Sequence, residues 1–396
     1  MTTTEVAPAS APASTAPRLH PQTVRWLAGA GAAMALYAGL RIINVLVLIF
    51  YARRDEKTPA WRDLLLAWDA KWYAGIAEHG YDTVISFTDK GVPEMSNLAF
   101  FPLYPGLSAA VAFVLPVSVG TALLLVSWAT GLAAAATLYA LGSYLRDRMT
   151  GILLAGLWSV VPHGIVLSMG YSEPLFTALA AGSLLAALRK NWLTAGVLCL
   201  LAGLTRPTGA AVIAAVVLTA LVAVVRNPRE WRAWVAGLIA PLGLVGYMAW
   251  VGIRLGRADG YFYVQNETWK MGFDGGGYTL STFSNMLLDN RISLELTEVS
   301  LVLLLALGLF VVALGERLPW PLLVYAGVVV FIAVTGDWFY WAKARMLIPA
   351  FPLLLPVVYA MRRSHNRVVP YVVVGGLALF STFFSVYLTL TWHRSF

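Results

Sequence analysis

The chain has 396 residues, of which 59% are hydrophobic and only 12% charged, against roughly 25% charged in an ordinary soluble domain. So few charges cannot clothe a water-exposed surface, which excludes a soluble globular protein. Net charge is +8, yet no basic patch is interleaved with aromatics as a nucleic-acid surface would need, and the lone Cys199 excludes a disulfide framework and a cysteine-based metal site.

The charge reports topology instead. Short basic tracts stand at 146–148, 189–190, 226–232 and 362–367, while most carboxylates fall in 51–96 and 253–298. The positive-inside rule puts the basic loops in the cytoplasm and the two long acidic segments on the other side of the membrane. Arg outnumbers Lys, and Ala, Gly, Leu and Val abound, a usage that points to a GC-rich bacterial genome and hence a bacterial plasma membrane.

In chain order, residues 1–20 are rich in Ala, Pro, Ser and Thr and read as a disordered cytoplasmic tail. Residues 21–396 read as one transmembrane domain with extracytoplasmic loops 51–98 and 254–298. Apolar segments begin at 24–50 and 99–117 and end at 342–361 and 368–391. Counting every such segment as a full crossing would put Arg146 and Arg148 outside, so one early crossing has to go. The candidates are 99–117, with three prolines, and 150–188, broken by Pro162 and "GYSEP". The expectation is an all-α polytopic bundle of about 11 crossings (range about 10–13), with interfacial helices in the first outer loop.

That outer loop contains "LLLAWDAKWYAGIAEHGY", Leu64 to Tyr81. Trp68, Trp72, Tyr73 and Ile76 recur every three to four residues, Asp69 reads as the N-cap and Gly80 as the stop, so a short helix with an aromatic face in the headgroup layer is predicted. Further on stand "AFFPLYPG" from Ala99, "GYSEPLF" from Gly170 with Tyr171 and Glu173, and "LTRPTG" from Leu204 with Arg206. Asp337, Lys343 and Arg345 precede a span broken by proline. Ionisable groups at such depths pair with one another or line a cavity. Arg206, Lys343 and Arg345 together would make a cationic wall suited to phosphate, opposed by Asp69. The loop Tyr263–Tyr278, with Gln265, mixes amides and aromatics as sugar sites do, but also as ordinary loops do. His79, His163 and His365 form no metal-binding pattern.

Taken in order, "WDAKWYAGIAEHGY", "AFFPLYPG", "GYSEPLFT" and "TRPTG" closely resemble the PIG-V family, the mannosyltransferases that add the second mannose to the glycosylphosphatidylinositol precursor, together with bacterial relatives. The similarity spans roughly 24–210 and extends more loosely to "ARMLIPAFPLLLP". It implies the GT-C fold, a polyprenyl-phosphate-mannose donor and an extracytoplasmic active site. It further implies an acidic residue in the first outer loop, here Asp69 of the Trp68–Asp69 pair, as base. Arg206 and Arg345, then Lys71 and His79, are the expected donor-phosphate ligands; Trp68, Trp72, Tyr73, Tyr171, Glu173 and Gln265 are the expected substrate contacts. In a bacterial protein the acceptor would be a glycolipid, a cell-wall glycan or a protein on the outer face of the bilayer. Some relatives use a divalent metal and some do not, so a metal stays open, although one outer carboxylate followed by Lys71 makes a poor cage. A different lipid-linked sugar is the first alternative. A lipid-sugar flippase is the second, less favoured because the ionisable groups gather toward one side.

Overall fold

The computed structural model describes residues 21–54, 58–288, 293–337 and 339–392; the predicted tail at 1–20 lies outside them. The all-α expectation holds, and the chain is a multi-pass membrane protein. Among the described residues, six stretches are long and apolar enough to cross a bilayer: Thr23–Ala52, Val119–Leu145, Gly209–Arg226, Trp231–Leu255, Leu294–Gly315 and Val369–Leu390. A seventh arises if Tyr340–Met346 and Phe351–Arg363, bent by 75°, count as one span. Leu103–Val114, Glu173–Leu188, Trp192–Gly203 and Trp320–Thr335 are apolar but shorter. The segments anticipated from hydropathy are therefore present as helices: among the described residues, six long spans, the bent pair and four shorter apolar helices, in keeping with a bundle of about eleven. Prolines divide the rest, as at Pro349 and Pro352, where the bent pair breaks.

The helices used below are α1 (Pro21–Ala52), α2 (Trp61–Leu65), α3 (Asp69–His79), α4 (Leu103–Val114), α5 (Val119–Leu145), α6 (Arg148–Ser159), α7 (Glu173–Leu188), α8 (Trp192–Gly203) and α9 (Gly209–Arg226). After α10 (Trp231–Ile239) and α11 (Leu242–Leu255) come α12 (Gly260–Tyr263), α13 (Gly277–Leu288), α14 (Leu294–Gly315), α15 (Trp320–Thr335), α16 (Lys343–Met346), α17 (Leu355–Arg363) and α18 (Val369–Leu390). α5 lies at the centre, packed on α1, α6 and α7. Its approach to α6 is set by two glycines, because a Cβ at Gly142 would sit 2.7 Å from Gly151 Cα. Tyr37 of α1 stacks on Trp158 of α6 with centroids 5.5 Å apart. On the outside, Leu301, Leu305, Phe331, Val372 and Leu379 are exposed, as lipid-facing positions must be.

The two long acidic segments join into one cap. Trp269 Nε1 donates to Ser96 O at 2.9 Å, and Arg254 donates to the carbonyls of Asp82 and Tyr81 at 2.6 and 3.0 Å. Trp72, Phe100 and Trp269 form an aromatic cluster between them, with centroids 5.2 to 5.9 Å apart. A two-residue antiparallel pair, β1 (Gly272–Phe273) and β2 (Gly336–Asp337), ties the second segment to the end of α15. The predicted aromatic face of α3 thus meets protein instead of headgroups: Tyr73 and Ile76 are buried, and Trp72 packs in the cluster.

Candidate functional site

The helix predicted from Leu64 onward is two pieces, α2 and α3, joined by a tight reversal. Arg62 anchors α2 by donating to Ser118 Oγ and Thr121 Oγ1 at 2.6 and 2.7 Å. Trp68 then adopts φ 56°, ψ −118°, while the Ala67 carbonyl accepts from the Ala70 N–H at 3.3 Å. That backbone ordinarily favours glycine, and a bulky residue held there stores of order 1–3 kcal/mol. The consequence corrects the sequence reading. Trp68, not Asp69, stands at the N-cap with no side-chain cap, and Asp69 is the first residue of α3. Its carboxylate is left to point elsewhere.

It points at Arg345. Arg345 Nη2 lies 2.9 Å from Asp69 Oδ2, and Arg345 Nε lies 3.4 Å from Glu173 Oε1. Glu173 Oε1 also lies 2.7 Å from Arg206 Nη1. Asp69, Arg345, Glu173 and Arg206 form a chain of alternating charge with no net charge. Its side chains are 15%, 8%, 0% and 7% exposed in that order, so Asp69 alone meets the outside to any extent. A buried pair of opposite charges is stable only when its members stay together, since each alone would carry the full desolvation cost.

The motif "GYSEP" brings the parts together. Gly170 N–H donates to Leu65 O at 2.9 Å, which docks the motif on α2. A Cβ at Gly170 would stand 3.1 to 3.3 Å from Leu66, Ala70 and Leu123, so only glycine allows this approach without displacement. Tyr171 is buried; its hydroxyl accepts from the Asp69 N–H at 3.3 Å, and its ring lies 5.3 Å from the Arg345 guanidinium. Ser172 Oγ shares a 2.8 Å hydrogen bond with Tyr73 Oη and accepts from Arg206 at 3.2 Å. Burial pushes the Tyr73 phenol well above its ordinary value, so it stays a neutral hydroxyl. Arg206 is placed by the α8–α9 turn, where Leu204 O accepts from the Leu103 N–H of α4 at 2.9 Å.

Two expectations change here. Glu173, expected to meet sugar hydroxyls, is buried behind the two guanidinia and positions them. Lys343, expected beside Arg206 and Arg345, turns away: its ammonium donates to Gly336 O, Thr279 Oγ1 and Ala333 O at 2.6, 2.8 and 3.1 Å. It bolts α13 and α15 to the short helix that carries Arg345.

Beside the network lies a cleft of about 650 Å³ lined by Trp68, Lys71, Trp72, His79, Asp82 and Asn97, among others. Lys71 and His79 are on this exposed face of α3, with His79 3.8 Å from Glu78, and neither joins the buried network. Asp82 and Asn97 were not foreseen. Asp82 accepts from Ser96 Oγ at 2.7 Å and from the Asn97 N–H at 3.0 Å, closing the cleft floor, and such a loop contact leaves no periodic trace in sequence. Gln265 donates to Tyr261 at 2.8 Å inside the cap and is not among the residues lining the cleft.

The donor set does not suit a divalent cation. Asp69 and Glu173 are each bridged by guanidinium, so the positive charge a metal would bring is already supplied, and the described residues hold no group of three or more candidate ligands. Chemically, the arrangement offers one partly exposed carboxylate with guanidinium forks behind it, and a separate aromatic-walled cleft lined by Trp68 and Trp72, which flank Asp69 in sequence.

This architecture is that of the GT-C membrane fold. The chain is similar to ArnT from Cupriavidus metallidurans bound to undecaprenyl phosphate, with a TM-score of 0.53 at 14% identity over 86% of this chain and 62% of that one. The apo state of the same protein gives a TM-score of 0.50 at 13% identity, covering 89% and 63%. The chain therefore spans under two thirds of the length of these structures, and a likeness at such identity concerns the fold. No family model matches the chain, and no curated protein matches it.

Proposed function

We propose that the chain is a membrane glycosyltransferase that moves a sugar from a polyprenyl-phosphate donor to a glycolipid or glycan acceptor on the extracytoplasmic face of a bacterial plasma membrane. Mannose is the sugar favoured by the PIG-V-like motifs. The observation that carries this reading is the Asp69–Arg345 contact at 2.9 Å, which sets a partly exposed carboxylate against a buried guanidinium beside an aromatic cleft. ArnT, which shares the fold, binds undecaprenyl phosphate, a lipid of the class proposed here as the carrier.

In this mechanism the acceptor hydroxyl attacks the anomeric carbon from the side opposite the phosphate. Asp69 takes the hydroxyl proton as the bond from C1 to the phosphate oxygen breaks, and polyprenyl phosphate leaves. The donor is a phosphodiester with one negative charge; the leaving phosphomonoester carries a second. Asp69 gives up one negative charge as it is protonated, so charge moves from carboxylate to phosphate. Arg345 serves both sites: the guanidinium released by the protonated Asp69 is the one the phosphate needs. Arg206 assists from behind, and Lys71 and His79 reach the phosphate from the cleft side. Trp68 and Trp72 offer flat faces on which sugar rings pack, with Tyr73, Tyr171 and Glu173 holding the seat and Gln265 bracing the cap above it. No step calls for a metal.

The test is transfer of labelled mannose from polyprenyl phosphomannose into membrane lipid extract by the purified protein, wild type against Asp69→Asn. Transfer by wild type and its loss in the variant support the reading. No transfer from any polyprenyl-phosphate sugar overturns the enzyme, and transfer of only another sugar overturns mannose.

A further inference from the structure

The end of the bundle away from Asp69 holds a second polar cleft of about 470 Å³, lined among others by Arg146, Glu316, Arg317, Leu318, Tyr359 and Arg363. α5 connects the two ends. Its 27 residues run from the N-cap Ser118, beside Arg62, to the C-cap Arg146, roughly 40 Å away at 1.5 Å per residue. The cleft forms where the end of α5, the α14–α15 turn and the end of α17 converge.

Three features separate it from a scatter of surface arginines. The nearby carboxylates are already engaged: Arg363 pairs with Glu316, and Arg362 with Asp147 at 3.0 Å. Four guanidinia thus meet two carboxylates, which leaves the positive charge of Arg146 and Arg317. Next, Arg146 is held in place, its guanidinium 5.4 Å from the ring of Tyr359, whose side chain and that of Leu318 form a buried apolar floor. Finally, Arg317 adopts φ 52°, a left-handed backbone that is unfavourable for any residue with a Cβ. Backbone strain of this kind collects at ligand clamps. The rim is lipid-facing: Val311, Val312 and Leu314 at the end of α14 and Val368 and Val372 at the start of α18 are exposed, and Trp320 stands at the same level.

We propose that this cleft binds a phosphate ester, presented by the headgroup of an anionic membrane lipid, with Arg146 and Arg317 as its ligands. A cleft between membrane helices, with two uncompensated guanidinia at the headgroup level and exposed apolar side chains beside it, fits a phosphate that arrives attached to acyl chains. It stands apart from the proposed transfer site and does not depend on it.

The experiment is native mass spectrometry of the full chain in detergent, titrated with phosphatidylglycerol or phosphatidylcholine. Wild type is expected to retain phosphatidylglycerol preferentially. Arg146→Gln/Arg317→Gln is expected to weaken that retention by about tenfold or more, given the contribution of each basic side chain to anionic-lipid binding. Arg226→Gln/Arg229→Gln removes the same charge outside the cleft and should change little. Arg317→Gly guards against a folding artefact: it relieves the left-handed strain while deleting the charge, and should keep thermal stability yet lose lipid. Equal loss in the two double variants, or equal retention of phosphatidylcholine, overturns the site. Displacement of the lipid by millimolar inorganic phosphate overturns the lipid as the source and leaves a soluble phosphate ester in its place.

Discussion

Arg345 Nη2 meets Asp69 Oδ2 at 2.9 Å, so a residue from the last third of the chain completes a candidate site begun in the segment between α1 and α4. The contact carries the electrostatic part of the proposed reaction, and its two members can be tested separately.

Asp69→Asn keeps the shape of the side chain but accepts no proton. A positioned general base contributes typically 10²- to 10⁴-fold, so kcat should fall by that order while donor binding changes little. A fall in donor affinity with kcat unchanged would assign Asp69 to binding.

Arg345→Lys keeps the charge but loses the fork that reaches Asp69 and Glu173 together. Turnover should drop by at least tenfold with thermal stability nearly preserved. Glu173→Gln acts the other way. It leaves two buried guanidinia facing one carboxylate, and breaking a buried pair costs roughly 3–5 kcal/mol, so a clear fall in melting temperature is expected. In Glu173→Gln/Arg206→Met part of that loss should return, since both charges of one pair are gone.

Trp68→Gly separates backbone from side chain. Glycine accepts φ 56° without strain, so melting temperature should hold or rise slightly, while removal of an indole from the cleft wall should raise KM for the sugar substrate. Unchanged KM would remove Trp68 from the substrate contacts.

The cap offers a pH prediction. Although partial desolvation opposes it, backbone N–H groups of Tyr278 and Gly276 pull the Asp274 carboxyl below its usual range. A depressed carboxyl stabilises the folded loop above its unfolded value, near about 4, and loses that effect as pH falls through the folded value. Proteolysis at 272–288 should therefore be flat from neutral pH down to mild acid and rise only below it, and Asp274→Asn should remove the acid step. Lys343→Met, which unbolts α13 from α16, should raise cleavage at every pH.

Chelation should leave transfer unchanged, because guanidinia already occupy the positions that oppose Asp69 and Glu173. Loss of activity with EDTA and its recovery with a divalent cation would contradict that.

Much of this was legible in the sequence, though unevenly. Apolar segments and their polar interruptions follow from composition alone; the ordered motifs pointed to Asp69, Glu173 and Arg206, and the charged cluster ahead of the last broken span pointed to Arg345. What could not be read was who faces whom. Glu173 and Arg345 meet because Gly170 allows one motif to dock on α2 and because Lys343 fixes α16, both contacts between distant segments. The role of Trp68 was hidden for a local reason: Trp-Asp before a helical pattern reads as a cap, and nothing in side-chain chemistry signals a left-handed tryptophan. The length of each helix could not be read either, because hydropathy does not register how far a proline-broken helix extends.

The buried Glu173 has one more consequence, in turnover. On the proposed reaction the spent carrier departs as a doubly charged phosphate, which two arginines unopposed would hold more tightly than the singly charged donor. Glu173 tempers both guanidinia from behind. On that reaction it would set how readily the carrier lipid is released, and the same carboxylate that steadies the resting site would govern the escape of product.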